Sequence, residues 1–389
     1  MSPSIRFPEF TGEWENKRIG DIGKFFSGGT PSSSRKDFYG GEIPFIRSGE
    51  IHSDKTELFL TQEGYKNSSA KMVEVGYILL ALYGANSGDI SISQMRGAIN
   101  QAILCIRTNV APVFFKSVWE KHAQKILNTY LQGGQGNLSA DIVKKITISI
   151  PSQIEQAKIA ALFSHLDERI SIQNRLIDRL QSLMIGLNNS LYEQYGNDIT
   201  TSFMELGYSY SGLSGKSAKD FGSGKPFITY LNVYSNIIVD ETDYQYVRIN
   251  DGEKQNIVRT GDVLFTLSSE TPEEVGIGSV YLGEKEVYLN SFCFGIHIER
   301  NQLAYSPYLS YYVTSTAFRK FIYPFAQGST RFNLCKADFE KASIKLPSLD
   351  NQKRISAMLD CIAEKIQAEK AILEYYNIQR QYLLRQMFI

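Results

Sequence analysis

A repeat with a period of half the chain is the strongest constraint on how these 389 residues can fold. Residues 147–163 read TISIPSQIEQAKIAALF, and residues 343–359 read SIKLPSLDNQKRISAML. An offset of 196 residues, the separation of Pro151 and Pro347, also aligns Gln156 with Gln352. Self-similarity at so long a period predicts two copies of one structural unit, each ending in a helix. We therefore expect internal pseudo-two-fold symmetry, with the two terminal regions of the chain close together.

The end of each copy carries apolar residues at alternating steps of three and four. The first series is Ile159, Leu162, Leu166, Ile170, Ile177, Leu180, Met184, Leu187 and Leu191, and the second is Ile355, Leu359, Ile362, Ile366, Leu373, Tyr376, Leu383 and Met387. The mean step of 3.5 residues is the coiled-coil period. Pro151 and Pro347 mark the helix starts. The alternative is two amphipathic helices, each packed on its own domain.

Three polar residues interrupt these series. Gln173 and Glu369 occupy the same position, near the middle of each helix, and Arg380 stands where the first copy has Met184. In an antiparallel pair related by two-fold symmetry the midpoints meet. We therefore predict that Gln173 and Glu369 approach each other and fix the register of the pair.

The regions before the helices are rich in short β-type runs separated by Gly, Ser, Asn and Pro. Such patterns predict an irregular antiparallel sheet in an α+β domain. The two copies correspond weakly: Pro44 matches Pro226, Gly76 matches Gly261, and Asn100 matches Asn290. Framework positions recur while the loops differ, which favours two similar tasks performed on two different targets.

Composition and charge limit the class of protein. Apolar residues make up 43% and charged residues 21%, as in ordinary globular chains, and no apolar run is long enough to cross a bilayer. Four cysteines, with no CxxC motif and no signal peptide, favour reduced thiols in the cytoplasm. The formal net charge is zero, which gives no support to a nucleic-acid binder acting alone.

The motifs of catalysis are missing from this sequence. Gly215, Lys216 and Ser217 resemble the end of a P-loop, but Tyr210 stands where its first glycine is required. The histidines do not have the spacing of metal ligands, and no GxSxG nucleophile elbow occurs. No two prolines are adjacent, so the Pro-Pro-aromatic loop that a DNA amino-methyltransferase needs is missing. We therefore predict a binding protein rather than an enzyme, with no catalytic residue, cofactor or metal site.

Taken together, the repeated and ordered motifs resemble a specificity subunit of a Type I restriction-modification system. The carriers are WENKRIGDIGKFFSGGTPS from Trp14, IPFIRSGEI from Ile43, GYILLALYGANSG from Gly76, AINQAI from Ala98, and QGNLSADIVKKITISIPSQIEQAKI with its second copy. The resemblance covers nearly the whole chain. The second copy departs from the pattern: it lacks GGTP after Tyr210 and has QGSTRFN in place of QGN.

The resemblance implies two target recognition domains separated by two long helices that form an antiparallel coiled coil. Expected boundaries are 1–150 and 201–346 for the recognition domains, and 151–200 and 347–389 for the helical spacers. Each domain would read one half of a bipartite site on double-stranded DNA. The chain would dock two methyltransferase subunits, in an assembly that restriction subunits can join, away from any membrane. The alternatives are a duplicated coiled-coil interaction scaffold with no role on DNA and an enzyme of unrecognised type.

Base edges are read by polar side chains on loops that a rigid scaffold positions. In the first domain we select Thr30, Ser34, Arg35, Lys36, Arg47, Ser48, Tyr83, Asn86 and Gln135. In the second we select Lys216, Ser217, Lys219, Lys225, Tyr230, Asn232, Thr266, Ser268, Ser269 and Arg331. For any single polar loop residue the alternative is simple solvation. Asn137 and Asn333 recur between the copies, which favours a turn-forming role.

Overall fold

The computed structural model describes residues 3–131 and 137–389. The chain divides into two compact units, one formed by Met1–Asn174 with Ala371–Ile389 (unit 1) and the other by Arg175–Lys370 (unit 2). Both divisions fall inside long helices. Each unit therefore holds one β-rich region together with a part of each long helix.

Unit 1 is built on two four-stranded sheets and a two-stranded pair. Its elements are β1 (Glu15–Arg18), β2 (Gly23–Ser27), β3 (Tyr39–Ile46), β4 (Phe59–Leu60), α1 (Gln62–Lys66), β5 (Lys71–Val73), β6 (Ile78–Ala81), β7 (Ile90–Ile92), β8 (Gly97–Ile99), β9 (Ile103–Thr108), α2 (Pro112–Leu131), α3 (Ala140–Lys145), β10 (Thr147–Ile150) and the first part of α4 (Gln153–Tyr195). One sheet has the order β2-β9-β6-β7 and is antiparallel throughout. The other has the order β4-β3-β8-β5, with β3 and β8 parallel, and β1 pairs with β10.

Unit 2 repeats this plan after the end of α4. Its elements are β11 (Ile199–Thr201), α5 (Phe203–Leu206), β12 (Gly207–Ser211), β13 (Phe221–Ile228), α6 (Tyr230–Ser235), β14 (Tyr244–Val247), β15 (Val263–Thr266), β16 (Ser268–Ser269), β17 (Gly278–Val280), β18 (Tyr288–Leu289), β19 (Cys293–Ile298), α7 (Ser306–Tyr312), α8 (Thr316–Ile322), β20 (Ala326–Gln327), β21 (Phe332–Leu334), α9 (Lys336–Lys341), β22 (Ile344–Leu346) and the first part of α10 (Leu349–Gln386). The sheets run β12-β19-β15-β17, β14-β13-β18, β16-β21-β20 and β11-β22.

The two units share strand order and local bonding, which confirms the predicted repeat. The strand β13 pairs antiparallel with β14 and parallel with β18, as β3 pairs with β4 and β8. The N–H of Asn100 donates to the carbonyl of Ile46 at 3.3 Å, and that of Asn290 donates to Ile228 at 3.0 Å. Each asparagine side chain also accepts the N–H two residues further on. The recurring asparagines therefore end equivalent strands.

The recurring glycines Gly76 and Gly261 stand at equivalent turns ahead of β6 and β15. Their φ angles are +89° and +91°, in the left-handed region where a Cβ atom is unfavourable. Each donates its N–H across the turn, Gly76 to Ser93 and Gly261 to Tyr281. The need for positive φ explains why this residue type recurs in both copies.

The recurring glutamines join the start of each long helix to the segment ahead of an earlier helix of the same unit, α2 in unit 1 and α7 in unit 2. Gln156 donates from Nε2 to the carbonyl of Pro151 at 2.9 Å, and its Oε1 accepts a backbone N–H ahead of α2 at 3.2 Å. Gln352 makes the same bonds to Pro347 at 2.9 Å and to the backbone ahead of α7 at 2.8 Å. Both glutamines are buried. The most recognisable motif of the repeat is therefore a structural joint, because its polar side chain satisfies buried backbone groups.

An aromatic core in unit 1 holds the two ends of the chain. Phe388 lies 5.4 Å from the rings of Phe114 and Phe163 and 6.4 Å from that of Trp14, measured between centroids. The N–H of Ile5 donates to the end of α10 at 3.0 Å. The expected proximity of the terminal regions is thus confirmed within unit 1.

Unit 2 has its own aromatic core. Phe203, Phe265, Phe318 and Phe339 are all fully buried, and their ring centroids lie between 5.1 and 6.3 Å apart in the contacting pairs. The last turns of α4 pack on this core, where Asn188 donates from Nδ2 to the carbonyl of Tyr311 at 2.8 Å. Each unit therefore buries one end of each long helix against its own sheets.

The long helices run antiparallel within unit 1. Phe163 of α4 contacts Phe388, beyond the end of α10, while Asp167 further along α4 contacts the earlier Arg380. Arg380, the residue out of place in the apolar series, donates from Nε to Asp167 at 2.5 Å and from Nη2 to Glu120 of α2 at 2.7 Å. In unit 2 its counterpart Met184 packs on the apolar core.

The two polar residues at the middle of the series fall on opposite sides of the division. Gln173 belongs to unit 1 and is buried, and Glu369 belongs to unit 2, where it is buried and pairs with Lys365. Their mutual approach stays a prediction.

In the ranges 3–131 and 137–389, no helix has both the length and the apolar character needed to cross a bilayer.

Candidate nucleic-acid interface

Loops from four strands meet at one end of the sheets in unit 1. Thr30, after β2, donates from its hydroxyl to Oε1 of Gln101 at 2.5 Å, and Tyr83, after β6, donates to the carbonyl of Gln101 at 2.6 Å. Gly49, next to Ser48, lies so close to Asn86 that an added Cβ would stand 3.7 Å from Nδ2. We call Thr30, Ser48, Tyr83, Asn86 and Gln101 the first loop cluster. Gln101 was not predicted, although it follows the recurring Asn100.

The predicted arginines of unit 1 are already bound by carboxylates. Arg35 forms two short bonds with Asp37, at 2.9 and 2.6 Å, and its guanidinium lies 4.3 Å from the ring centroid of Phe38. Arg47 is 2.9 Å from Glu50 and 2.7 Å from Glu57. Any contact of these cations with a phosphate or base must compete with their carboxylate partners.

The pairing of Arg47 with Glu50 is the firmer of its two contacts. Burial alone would raise the pKa of Glu50, but the hydrogen bonds from Arg47 and from backbone N–H groups lower that pKa to about 2. The side chain of Glu57, by contrast, is 83% exposed. Glu57 is therefore the partner that a nucleic acid can displace at lower cost.

The remaining predicted residues of the first domain are exposed or outside the described ranges. Ser34 and Lys36 are exposed, and the hydroxyl of Ser34 is 2.8 Å from that of Ser32. Gln135 lies outside the residues that the structure describes. Asn137, expected to form a turn, is exposed at the edge of that gap.

A second set of loops meets in unit 2. Tyr230 donates from its hydroxyl to the carbonyl of Ser268 at 2.8 Å and stacks on Tyr234 with centroids 6.0 Å apart. Ser269 donates to Oε2 of Glu274 at 2.8 Å. Arg331 is exposed and lies 5.8 Å from the ring centroid of Phe292. The second loop cluster is defined as the set of these loop residues: Tyr230, Tyr234, Ser268, Ser269, Glu274, Phe292 and Arg331.

The two clusters occupy equivalent places in the two copies. Ser48 and Tyr230 each stand two residues after the equivalent strands β3 and β13. Tyr83 and Ser268 each stand two residues after β6 and β15. Equivalent scaffold positions therefore hold a serine in one unit and a tyrosine in the other. Ser268 is buried, so the difference reaches the surface at Ser48 and Tyr230.

Four predicted DNA-binding residues of the second domain are buried, Asn232 and Thr266 completely and Ser268 and Ser269 at 5% and 8% exposure, so the prediction of exposed readers is wrong for them. Asn232 donates to the carbonyls of Asp240 and Asp243, each at 2.9 Å, and accepts the N–H of Asp240. Thr266 accepts the N–H of Ile277 at 3.0 Å. Both side chains hold neighbouring loops in place.

Three predicted residues lie in the loop ahead of β13, and one lies in that strand. Lys216 is almost buried and donates to the carbonyl of Arg248 and to Glu253, which lowers the pKa of Glu253 to about 2. Ser217 bonds to Asp220. Lys219 and Lys225 are exposed and present cations to solvent. The loop of Lys216 is therefore held by the ion pair with Glu253, which lies in the loop after β14, and by the hydrogen bonds between Ser217 and Asp220.

The structure bears on metal sites in the described part of the chain and on the two buried cysteines. Within it, no group of His, Cys, Asp and Glu side chains is arranged to hold a metal ion. Burial raises the pKa of the Cys105 thiol to about 12, and Cys293 is also buried with a raised pKa. Both thiols are therefore protonated at neutral pH and inert as nucleophiles.

Known proteins share this architecture. The family model for the Type I restriction modification DNA specificity domain matches residues 11–182 and 213–375. A specificity subunit of the Type I restriction enzyme MjaIX from Methanocaldococcus jannaschii is 22% identical, over 91% of this chain and 88% of its own length. The HindI specificity subunit from Haemophilus influenzae is 28% identical, over 44% of this chain and 40% of its own.

Solved structures show the same fold. The S subunit of a Type I restriction-modification system from M. genitalium superposes with a TM-score of 0.59 at 15% identity, covering 100% of this chain and 99% of that one. A chain from a structural study of Type I system assembly and conformational transition also gives 0.59, at 17% identity and 98% coverage of both chains.

The family matches cover most of the chain in two copies and coincide with the two units that carry the loop clusters. A duplicated interaction scaffold without a role on DNA is therefore not favoured. The chain belongs to the Type I restriction-modification DNA specificity family, and it is a non-catalytic specificity subunit with two copies of the specificity domain.

Proposed function

We propose that each loop cluster reads one half of a bipartite site on double-stranded DNA. The observation that carries this proposal is one pair of equivalent, partly exposed positions that differ in chemistry, Ser48 in the first unit and Tyr230 in the second. A common scaffold with different polar side chains suits two related surfaces that select different base sequences.

The proposal keeps the domain boundaries expected from the sequence, 1–150 and 201–346 for recognition and 151–200 and 347–389 for the spacers. It assigns base reading to the exposed members of the two clusters and to Arg47, with Arg35, Lys36, Lys219 and Lys225 as phosphate contacts. The helices would dock two methyltransferase subunits, whose complex restriction subunits can join, in the cytoplasm.

Mapping of methylated bases in the host genome tests this function. When the host produces this chain, methylation is expected at a single bipartite motif. Deletion of the gene that encodes the chain should abolish methylation at that motif. Exchange of residues 201–346 for those of another specificity subunit should change one half of the motif and leave the other intact. Retention of the whole motif after that exchange would show that unit 2 does not read DNA.

We expect the isolated chain to bind DNA weakly, because its net charge is zero and the two predicted arginines of unit 1, Arg35 and Arg47, are paired with carboxylates. Neutralisation of phosphates by free cations supplies much of the affinity of DNA-binding proteins. A gel-shift titration should give at best micromolar, salt-sensitive binding, which tightens when the methyltransferase subunits are added. Nanomolar, salt-resistant binding by the chain alone would contradict this.

Replacement of Arg47 by alanine is expected to weaken recognition of one half-site. Loss of a bidentate base contact costs roughly 1–3 kcal/mol and relaxes the preference at one position. Competition binding of the assembled complex to duplexes altered in either half-site measures this. As a matched variant, Glu57→Gln should leave Arg47 with Glu50 as its one charged partner and tighten binding modestly. Equal loss at both half-sites would assign Arg47 to a phosphate or to the fold.

The length of α4 is expected to set the spacer between the half-sites. The helix is continuous over 43 residues, about 65 Å at ~1.5 Å per residue. Four residues inserted after Tyr192 add about 6 Å and should lengthen the spacer by roughly one or two base pairs, with both half-sites unchanged. Methylation mapping measures the spacer directly. Full activity on the original spacing would show that α4 does not set the length of the spacer.

A further inference from the structure

Glu274 of the second loop cluster is held by two hydroxyl groups. Tyr234 donates to its Oε1 and Ser269 donates to its Oε2, both at 2.8 Å. These hydrogen bonds, first that of Tyr234 and then that of Ser269, lower the pKa of Glu274. The carboxylate is therefore ionised at neutral pH and retains lone pairs that only accept hydrogen bonds.

The backbone of the loop that carries Glu274 is held in place by hydrogen bonds. Arg319 of α8 donates to three of its backbone carbonyls, to Glu273 at 2.5 Å, to Val275 at 2.7 Å and to Gly276 at 2.9 Å. Gly276 adopts a φ of +64°, and an added Cβ there would collide with Ile322. A side chain on so constrained a loop is pre-organised, which is what selective hydrogen bonding requires.

The position of Glu274 matches that of a predicted base reader in the first copy. Glu274 lies between β15 and β17, and Asn86 lies between the equivalent strands β6 and β7. Asn86 presents an amide, which both donates and accepts, whereas Glu274 presents a carboxylate. Equivalent loops of the two units therefore offer different hydrogen-bonding patterns.

We propose that Glu274 is a specificity-determining residue that accepts a hydrogen bond from the N4 amino group of a cytosine in the major groove. The inference rests on the proposed function, because it places the second loop cluster against DNA. Guanine and thymine present acceptors in that groove, which a carboxylate repels. Adenine presents the N6 donor beside the N7 acceptor, so that the second carboxylate oxygen would face N7. Cytosine presents its N4 donor with no acceptor on the same base in that groove.

The decisive variant is Glu274→Gln, compared with Glu273→Gln. Glutamine bonds adenine through N6 and N7, so the first variant should exchange cytosine for adenine at one position of one half-site. The expected change in relative binding is roughly ten- to hundred-fold. Glu273 is an exposed neighbour in the same loop. Its variant removes the same charge and should tighten binding slightly and uniformly, without a change in base preference.

The measurements are methylated-motif mapping in the host and competition binding of the complex, assembled with its methyltransferase subunits, to duplexes randomised across the site. Ser269→Ala, which keeps the carboxylate but removes one of its donors, should weaken the cytosine preference at the same position. Unchanged preferences in both Glu274→Gln and Ser269→Ala, or an identical uniform effect of the two glutamine variants, would overturn the inference. In those cases a bipartite wild-type motif would leave the proposed function standing, whereas a wild-type chain without sequence preference would refute the function itself.

Discussion

Replacement of Phe388 by alanine is expected to destabilise unit 1 by about 3–5 kcal/mol, among the largest effects of any single truncation in this chain. Phe388 is 3% exposed and packs against Trp14, Phe114 and Phe163. Its removal leaves a cavity at the point where the end of α10 joins the core. We therefore expect residues 371–389 to lose their attachment to unit 1 before the rest of the unit unfolds.

Hydrogen exchange followed by mass spectrometry checks this, because it reports each unit separately. Protection should fall in residues 371–389 and in α2, and stay near the wild-type level in β12–β19 of unit 2. Tyr375→Ala is the matched control, since Tyr375 is an aromatic residue of α10, the helix that leads to Phe388, and is 70% exposed. A loss of less than 1 kcal/mol in Phe388→Ala, or an equal loss in the control, would contradict the assigned role.

Replacement of Arg380 by methionine, the residue at the equivalent place in the first copy, is expected to cost about 2–3 kcal/mol. Removing one partner of a buried ion pair leaves the other charge uncompensated, which typically costs about 3–5 kcal/mol. Here the side chain of Asp167 is 32% exposed, and Lys116 lies 3.1 Å from it. Solvent and the second cation therefore reduce the penalty. Chemical denaturation measures it.

A double variant separates charge from packing at this position. Arg380→Met combined with Asp167→Leu should recover a large part of the lost stability, because no unpaired Asp167 remains. If the double variant is less stable than Arg380→Met alone, packing of the arginine stem rather than its charge accounts for the loss.

The same pair predicts a dependence on pH. Burial tends to raise the pKa of Asp167, but the hydrogen bond and charge of Arg380 and the charge of Lys116 outweigh it and lower the pKa. A lowered pKa in the folded state means that the stabilisation is present above the ordinary Asp value, near 4, and is lost as the pH falls. The stability difference between wild type and Arg380→Met should therefore shrink below about pH 4. A constant difference down to pH 2 would exclude this linkage.

Much of the architecture was accessible from the sequence because it depends on local rules. Positive φ at Gly76 and Gly261 requires glycine in both copies. The apolar series predicts helices that start near Pro151 and Pro347, and the observed helices begin at Gln153 and Leu349. The joint made by Gln156 and Gln352 appeared as a repeated motif, although its partners did not. Such features recur because each copy must solve the same folding problem.

The candidate site was accessible only in part, because its members are assembled from loops far apart in sequence. Asn232 and Thr266 are polar residues of the kind that contact base edges, but both are buried because adjacent loops fold over them. Gln101 and Glu274 were not selected, because their importance comes from partners that a single sequence does not identify. Polar residues in loops look alike until the fold decides which of them face solvent.

The sequence by itself determined that the chain is a duplicated α+β protein, because periodicity, proline and glycine act over a few residues. Only the tertiary structure decided that Arg380, which interrupts the apolar series of the second helix, binds Asp167 and Glu120. It also decided which carboxylates hold Arg47 and which hydroxyls hold Glu274. Charge and hydrogen-bond partners are chosen by long-range packing, and that packing depends on the energy of the whole fold rather than on any local pattern.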